Sequence, residues 1–303
     1  MNMFLFAAIF ITFLLFAHNT MAFFVERECR KRQINFYSTN HASFCGEQSS
    51  ISLKDALLKC NEKVSNADSQ QDLLLDVGAN SAQSYSFLRA LSPNGLVLMF
   101  EPNPDSVAAL RKKFETDRNA KIFATAIGET NGSVVYFNLQ HATNWAGNEH
   151  GSLAQNNVYE DNLSNKVSVP LSSLDALLYE EMIRSNKRGV KFLKVDTEGF
   201  DQLVFYGAAK LLADVEIILW ECHELQRESK GGPGTTLYES VDFLEKHDFH
   251  TFLVGPSLMR LDGGLYHPHY DTLLQWQNCF SIKKNHKLAG CVDKLLLPMC
   301  KLQ

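Results

Sequence analysis

The chain has 303 residues, of which 45% are hydrophobic and 21% are charged, and its formal net charge is −5 at pH 7. This composition is typical of a globular protein and excludes a largely disordered one. The net negative charge argues against nucleic-acid binding, which needs a basic surface. A chain of this length can hold one large α/β domain with extensions.

Residues 1–25 are predicted to be a signal peptide or a membrane anchor. Met3–Ala17 is uncharged and almost wholly apolar, which is short for a membrane span and typical of the core of a signal peptide. Four basic residues follow this segment: Arg27, Arg30, Lys31 and Arg32. They favour a cytosolic location for the residues after it if it is retained, so cleavage and anchoring both stay open.

The cysteines favour an oxidising compartment. Six of the seven lie towards the two ends of the chain, and Cys222 alone lies between them. The six are Cys29, Cys45, Cys60, Cys279, Cys291 and Cys300. This distribution predicts disulfides that join an N-terminal arm to a C-terminal tail. With the two glycosylation sequons at Asn131 and Asn162, it predicts a lumenal or secreted protein, with membrane anchoring, also at the cytosolic face, left open.

Three segments follow the leader. Residues 26–71 are predicted to be a cysteine-bearing extension, with a helix at Ser52–Val64. Residues 72–282 carry the alternating strand and helix patterns of one α/β domain, and residues 283–303 form a cysteine-bearing tail.

The α/β domain opens with a strand, a tight turn and a helix. Leu73–Asn80 is a buried strand that runs into a glycine turn, and Ser81–Leu91 has helical periodicity. Asp76 at the strand end can accept hydrogen bonds from a ligand, and Gly78 leaves room for a ligand to approach the backbone. Ligands of doubly wound sheets bind beyond the carboxyl ends of the strands.

A second buried strand, Leu96–Phe100, ends in Glu101, which lies 25 positions after Asp76. A carboxylate at about this offset accepts hydrogen bonds from a ribose diol in dinucleotide-binding folds. Lys121–Gly128 is predicted to be a third strand, and the turn Asn131-Gly132 is predicted to lead into an antiparallel hairpin strand at Ser133–Phe137.

Two further strands end in acids. Lys191–Val195 leads into Asp196 and Glu198, and Glu216–Trp220 leads into Glu221. Crowding carboxylates at one edge of a sheet costs stability, so four acidic strand ends (Asp76, Glu101, Asp196 and Glu221) indicate a functional cleft. Asp201, at the start of the next helix, is expected to be satisfied by the helix N-terminus alone.

Two other features have weaker functional interpretations. Residues 138–166 are predicted to be a long polar loop, and with Trp145 this loop is interpreted as a substrate lid. His267 and His269 could ligate a metal, but no further ligands are visible, so no metal site is predicted.

The segments Asp76–Asn80, Phe100–Pro102 and Leu193–Asp201 resemble the FkbM-type family of S-adenosylmethionine-dependent methyltransferases. The resemblance implies a Rossmann-like class I methyltransferase fold, with helices on both faces of a mostly parallel sheet of seven strands. It also implies cofactor contacts from Asp76, Gly78 and Asn80 at the methionine end, from Glu101 and Pro102 at the ribose, and from Ala126 and Ile127 at the adenine. Ala82 departs from the family pattern, which usually has a second glycine there.

The resulting hypothesis is methyl transfer to a hydroxyl group of a sugar, a lipid or a small metabolite. Asp196 is the first candidate for general base and His223 the second, while Glu198, Glu221 and Trp145 are expected to bind the acceptor. A nicotinamide oxidoreductase is disfavoured because residues 78–83 lack the second and third glycines of its fingerprint. A catalytically inactive methyltransferase fold that acts as an interaction module is the alternative.

Overall fold

The computed structural model describes residues 26–44, 47–64, 72–138, 166–184, 189–223, 233–272 and 276–296. An eight-stranded sheet forms the centre of the protein, in the order β10-β9-β11-β8-β7-β1-β2-β3. Its strands are β1 (Leu73–Val77), β2 (Leu96–Glu101), β3 (Ala120–Ala124), β7 (Val190–Val195), β8 (Ile217–His223), β9 (Phe249–Leu253), β10 (Met259–Arg260) and β11 (Trp276–Lys283). β11 is antiparallel to both of its neighbours, and the five strands from β8 to β3 are parallel. The predicted α/β fold is therefore confirmed, with the short β10 added to the seven expected strands.

A second sheet of three strands corrects the prediction for residues 121–137. The expected single strand breaks at Thr125 into β3 and β4 (Ala126–Ile127), and β4 joins the second sheet in the order β4-β6-β5. β5 (Ser133–Asn138) pairs antiparallel with β6 (Lys166–Ser172) and not with the strand before the turn. Since β6 is distant in sequence, local patterns could not identify it as the partner.

Helices cover both faces of the main sheet. They are α1 (residues 26–40), α2 (Glu47–Val64), α3 (Tyr85–Leu91), α4 (Pro104–Lys113), α5 (Asp201–Tyr206), α6 (Leu237–Lys246), α7 (His269–Thr272) and α8 (Ala289–Val292), with a π-helix at Asp175–Arg184. Asn103 caps α4 through the N–H of Asp105, and Thr236 and Glu239 form a capping box on α6. α2 starts earlier than the predicted Ser52, and α3 starts later than the predicted Ser81.

Alternation along the strands sorts the side chains onto two faces. Leu73, Leu75 and Val77 of β1 face a core that also contains α5 and α6 residues. Leu74 faces the other core, which contains residues of α2, α3, α4 and α8. Because side chains alternate along a strand, Asp76 lies on this second face of the sheet. By the same rule Glu101, Lys194 and Glu221 lie on that face too, in line with Met99, Phe192 and Leu219.

Two disulfides are described. Cys60 on α2 is bonded to Cys291 on α8, which confirms a link between the N-terminal extension and the C-terminal part of the chain. The sequence analysis left Cys222 out of the group of disulfide-forming cysteines. This was wrong, because Cys222 on β8 is bonded to Cys279 on β11. Cys29 is also disulfide-bonded.

The predicted leader at residues 1–25 lies outside the described residues. Within the described part of the chain, no helix has the length and apolar character needed to cross a bilayer.

Candidate active site

The parallel strands bring their acidic ends to one edge of the sheet. β1 and β7 are direct neighbours, with Asp76 paired in register with Lys194, and Asp196 follows β7. Glu101 ends β2 on the other side of β1, and Glu221 lies near the end of β8. The site therefore lies beyond the carboxyl ends of the central strands, as in other doubly wound sheets.

Lys194 lies at the centre of this group. Its Nζ is 3.0 Å from Oδ2 of Asp196 and 3.4 Å from Oδ1 of Asp76, and it donates to the carbonyl oxygen of Gly78 at 3.0 Å. Burial opposes its charge, but the carboxylates of Asp196 and Asp76 outweigh burial and hold the pKa of Lys194 above its ordinary value. The sequence analysis missed this residue. A lysine inside an apolar strand was the available signal, because a buried lysine needs a partner.

Asp76 is fully buried, and neither of its carboxylate oxygens has a hydrogen-bond partner among the described residues. Burial raises the pKa of Asp76, and Lys194 opposes that rise. The Asp76 carboxylate therefore acts on the site through Lys194.

The turn after β1 packs against the end of β7. Gly78 has φ +75°, and a Cβ added to it would lie 1.8 Å from the carbonyl oxygen of Asp196. The space that a side chain would need at Gly78 is thus filled by the backbone of Asp196. Asn80 and Ala82 continue the turn with φ of 46° and 61°. Positive φ at both residues explains why α3 cannot begin at the predicted Ser81, because a right-handed helix requires negative φ.

Glu101 fixes the turns on either side of it. One of its carboxylate oxygens accepts from the backbone N–H of Asn80 and the other from that of Asn103, each at 2.8 Å. Burial raises the pKa of Glu101, and the two N–H donors act against this rise. The Nδ2 of Asn103 is buried and has no hydrogen-bond partner among the described residues, so an unused donor lies beside Glu101. Pro102, between them, is partly buried.

Asp201 is buried and connects two strand ends. It accepts from the backbone N–H and the hydroxyl of Thr197, at 3.2 and 2.8 Å, and from the N–H of Glu221 at 3.1 Å. The expectation that the helix N-terminus alone satisfies Asp201 was therefore wrong. Burial and the neighbouring Asp196 raise the pKa of Asp201 to about 6.

Glu198 lies in the same loop with φ 54°, a left-handed conformation that is strained for this residue type. Burial, followed by the charges of Asp196 and Asp201, raises its pKa to about 8. Asp196 keeps 31% of its side chain exposed and is the more accessible carboxylate partner of Lys194. Asp196 and Glu198 are thus the two carboxylates of this loop that are only partly buried.

The other predicted residues are placed less directly. Ala126 and Ile127 are buried in β4, and Glu221 is buried on β8. Trp145 lies outside the described residues, as does the side chain of His223. Within the described ranges no three histidine, cysteine or acidic side chains are grouped as metal ligands would be.

The charge of the site favours a cationic ligand. The carboxylates of Asp76, Glu101, Asp196 and Glu221 surround the ammonium of Lys194, so negative charge is in excess at this edge. In a partly desolvated site such an excess attracts a positive group more strongly than it would in water.

Solved structures of several methyltransferases are similar to this chain, with low sequence identities and TM-scores below 0.5. A precorrin-6y C5,15-methyltransferase from Geobacter metallireducens is 12% identical, with a TM-score of 0.36 over 77% of this chain and 88% of that one. An rRNA methylase from Streptococcus thermophilus is 9% identical, with a TM-score of 0.38 over 77% of this chain and 94% of that one. The N-methyltransferase NodS from Bradyrhizobium japonicum is 7% identical, with a TM-score of 0.36 over 78% and 97%.

No curated protein sequence matches the chain. The model of the methyltransferase FkbM domain matches residues 76–252, which is more than half of the chain and includes every strand-end acid described above. This protein therefore belongs to the FkbM methyltransferase family.

Proposed function

We propose that this protein transfers a methyl group from S-adenosylmethionine to a hydroxyl oxygen of a sugar, a lipid or a small metabolite. The observation that carries the proposal is the group of carboxylates around Lys194, at the edge of the sheet where ligands of this fold bind. The cofactor would supply an electrophilic methyl group on a sulfonium. The protein has to position the acceptor and receive its proton.

The residues at the strand ends fit this cofactor. The excess of carboxylates suits the sulfonium and the α-ammonium, and Glu101 is placed to accept from ribose hydroxyls with lone pairs that its two backbone donors leave unused. The unpartnered Nδ2 of Asn103 is a further donor there. Gly78 and Asn80 would line the methionine end of the cofactor, with Pro102 at the ribose and Ala126 and Ile127 at the adenine.

Asp196 is the first candidate for the general base. Its side chain is partly exposed, and its Oδ2 lies 3.0 Å from Nζ of Lys194. This ion pair fixes the position of the carboxylate. Glu198 is a second candidate, because a pKa of about 8 suits proton transfer near neutral pH. The sequence analysis assigned Glu198 only to acceptor binding. His223 remains a proposal, as do acceptor contacts from Glu221 and Trp145.

The pH dependence of kcat/KM separates the two carboxylates. If Glu198 receives the proton, kcat/KM rises through an apparent pKa of about 8, and Glu198→Gln abolishes turnover. If Asp196 receives it, Asp196→Asn abolishes turnover and Glu198→Gln retains it.

The alternative is an inactive methyltransferase fold that serves as an interaction module. Strain at Ala82, which has φ 61° where the family usually has glycine, is the observation that favours it. The disulfides Cys60–Cys291 and Cys222–Cys279 support placing either form in the secretory pathway or outside the cell.

Calorimetry with S-adenosylmethionine, S-adenosylhomocysteine and NAD tests the proposal. We expect binding of the first two and not of NAD. Asp196→Ala should keep cofactor binding and lose transfer of labelled methyl groups to hydroxylated acceptors, while Asp242→Asn, at an exposed ion pair, should keep both. No binding of either adenosyl compound would refute a methyltransferase activity.

A further inference from the structure

Helix α2 lies along α3 on the face of the sheet that carries the strand-end acids. The Nδ2 of Asn61 donates to the carbonyl oxygen of Leu91 at 3.0 Å, and the Nζ of Lys54 lies 5.8 Å from the centre of the Phe87 ring. The earlier residue of α2 lies beside the earlier residue of α3, so the two helices run in the same direction. Since α3 starts after the β1 turn, the first half of α2 points towards the candidate active site.

Aromatic packing connects Lys54 with the centre of the site. The ring of Phe87 packs edge-on against Phe192 with centroids 5.2 Å apart. Phe192 precedes Lys194 by two positions and therefore lies on the same face of β7. The charge of Lys54 also reaches the site, because it acts with Lys194 against the rise that burial produces in the pKa of Asp76.

α2 is held firmly enough to present a side chain to the site. Leu53, Leu57 and Cys60 are buried against the second core, and the disulfide from Cys60 to Cys291 ties the helix to α8. α2 precedes the segment that matches the family model, which begins at residue 76. The N-terminal extension thus supplies a cation that the matched segment does not contain.

The acidic site creates a need for such a cation. S-adenosylmethionine carries a sulfonium and an ammonium, which the carboxylates attract, and an α-carboxylate, which they repel. The ammonium of Lys194 is already engaged, because it donates to the carbonyl oxygen of Gly78 and forms ion pairs with Asp76 and Asp196. A second ammonium on the β1 side would offset the repulsion between these carboxylates and the α-carboxylate of the cofactor.

We propose that Lys54 of the N-terminal extension is a cofactor-binding residue whose ammonium binds the α-carboxylate of S-adenosylmethionine. This inference rests on the proposed function. It assigns the methionine end to the side of the site where the turn at residues 78–82 meets α2 and α3.

Calorimetry on the full, disulfide-bonded chain with S-adenosylmethionine and with its decarboxylated analogue tests the assignment. The analogue keeps the sulfonium and the ammonium and lacks only the carboxylate. We expect the unaltered protein to prefer S-adenosylmethionine roughly ten- to hundredfold, which is typical of one charge-assisted hydrogen bond. Lys54→Met should abolish this preference by weakening only S-adenosylmethionine, and Lys54→Arg should restore part of it. Lys59→Met, at an exposed position of α2, should keep the full preference.

Several results would overturn the assignment. Retention of the preference in Lys54→Met, equal weakening of both compounds, or equal affinity of the unaltered protein for both would refute the role of Lys54 and leave the proposed function standing. Failure of the unaltered protein to bind either compound would refute both proposals.

Discussion

The backbone of Gly78 approaches that of Asp196 so closely that a Cβ on Gly78 would lie 1.8 Å from the Asp196 carbonyl oxygen. Asp196 also donates its N–H to the carbonyl oxygen of Val77 at 3.0 Å. The turn after β1 and the loop after β7 are thus one packed unit. The position of the candidate base depends on a residue that lies more than a hundred positions earlier in the chain.

We expect Gly78→Ala to destabilise the protein by about 2–5 kcal/mol, because positive φ and a backbone clash both oppose a side chain there. The clash involves backbone atoms, which cannot move aside as a flexible side chain can. The measurement is the free energy of unfolding from denaturant titration.

Gly132→Ala is the matched control for this substitution. Gly132 has φ +81°, and nothing lies within 4 Å of its added Cβ. It should cost only about 1–2 kcal/mol from the backbone conformation. Equal losses in the two variants would show that the approach to Asp196 has no energetic weight.

We expect Ala82→Gly to change stability by no more than about 0.5 kcal/mol, because relief of positive φ is offset by the entropy that glycine adds to the unfolded chain and by loss of the buried Ala82 methyl group. It should also strengthen cofactor binding in calorimetry, because Ala82 belongs to the turn proposed to hold the methionine end. Asp248→Gly, at φ 68° in the exposed turn between α6 and β9, should raise stability by about 0.5–1 kcal/mol, because no buried group is lost there, and should leave binding unchanged. If Asp248→Gly also raised the affinity for the cofactor, the gain with Ala82→Gly could not be assigned to the turn that contains Ala82.

The sequence predicted the acidic strand ends well and their surroundings poorly. Asp76, Glu101, Asp196 and Glu221 could be placed at one edge because parallel strands share that edge. The role of Lys194 was missed because it depends on the register between β1 and β7, which no local pattern reveals. The partner of Cys222 was missed for the same reason, as spacing does not determine disulfide connectivity.

We expect Lys194→Met to destabilise the protein by about 3–5 kcal/mol at pH 7, because it leaves the buried Asp76 carboxylate without its partner. Addition of Asp76→Asn should recover a large part of the loss, since the buried charge is then absent. The double-mutant cycle in the free energy of unfolding measures this coupling.

Lys191→Met provides the comparison, since Lys191 lies on the same strand and its Nζ is also 3.4 Å from an aspartate, Asp72. Asp72 keeps 27% of its side chain exposed whereas Asp76 keeps none, so the loss should stay near 1 kcal/mol or less. Losses of the same size at both lysines would mean that burial of Asp76 does not set the strength of the pair.

The raised pKa of Glu198 predicts a change of stability with pH. Its pKa is about 8 in the folded protein against an ordinary value of 4.5, so the folded state binds the proton more tightly than the unfolded state does. The stability that this difference contributes is complete below the ordinary pKa and is lost as the pH rises through about 8.

Glu198→Gln removes the titrating group. Relative to this variant, the unaltered protein should therefore lose on the order of 1–2 kcal/mol between pH 5 and pH 9, after allowance for solvent screening. Denaturant titrations of both proteins across this range give the difference directly.

Glu239→Gln, at an exposed helix cap, is the control. The unaltered protein should not lose stability relative to this variant as the pH rises from 5 to 9. A difference between the unaltered protein and Glu198→Gln that stays constant from pH 5 to pH 9 would mean that Glu198 titrates as an ordinary surface carboxylate, and its candidacy as the base would then lose its support.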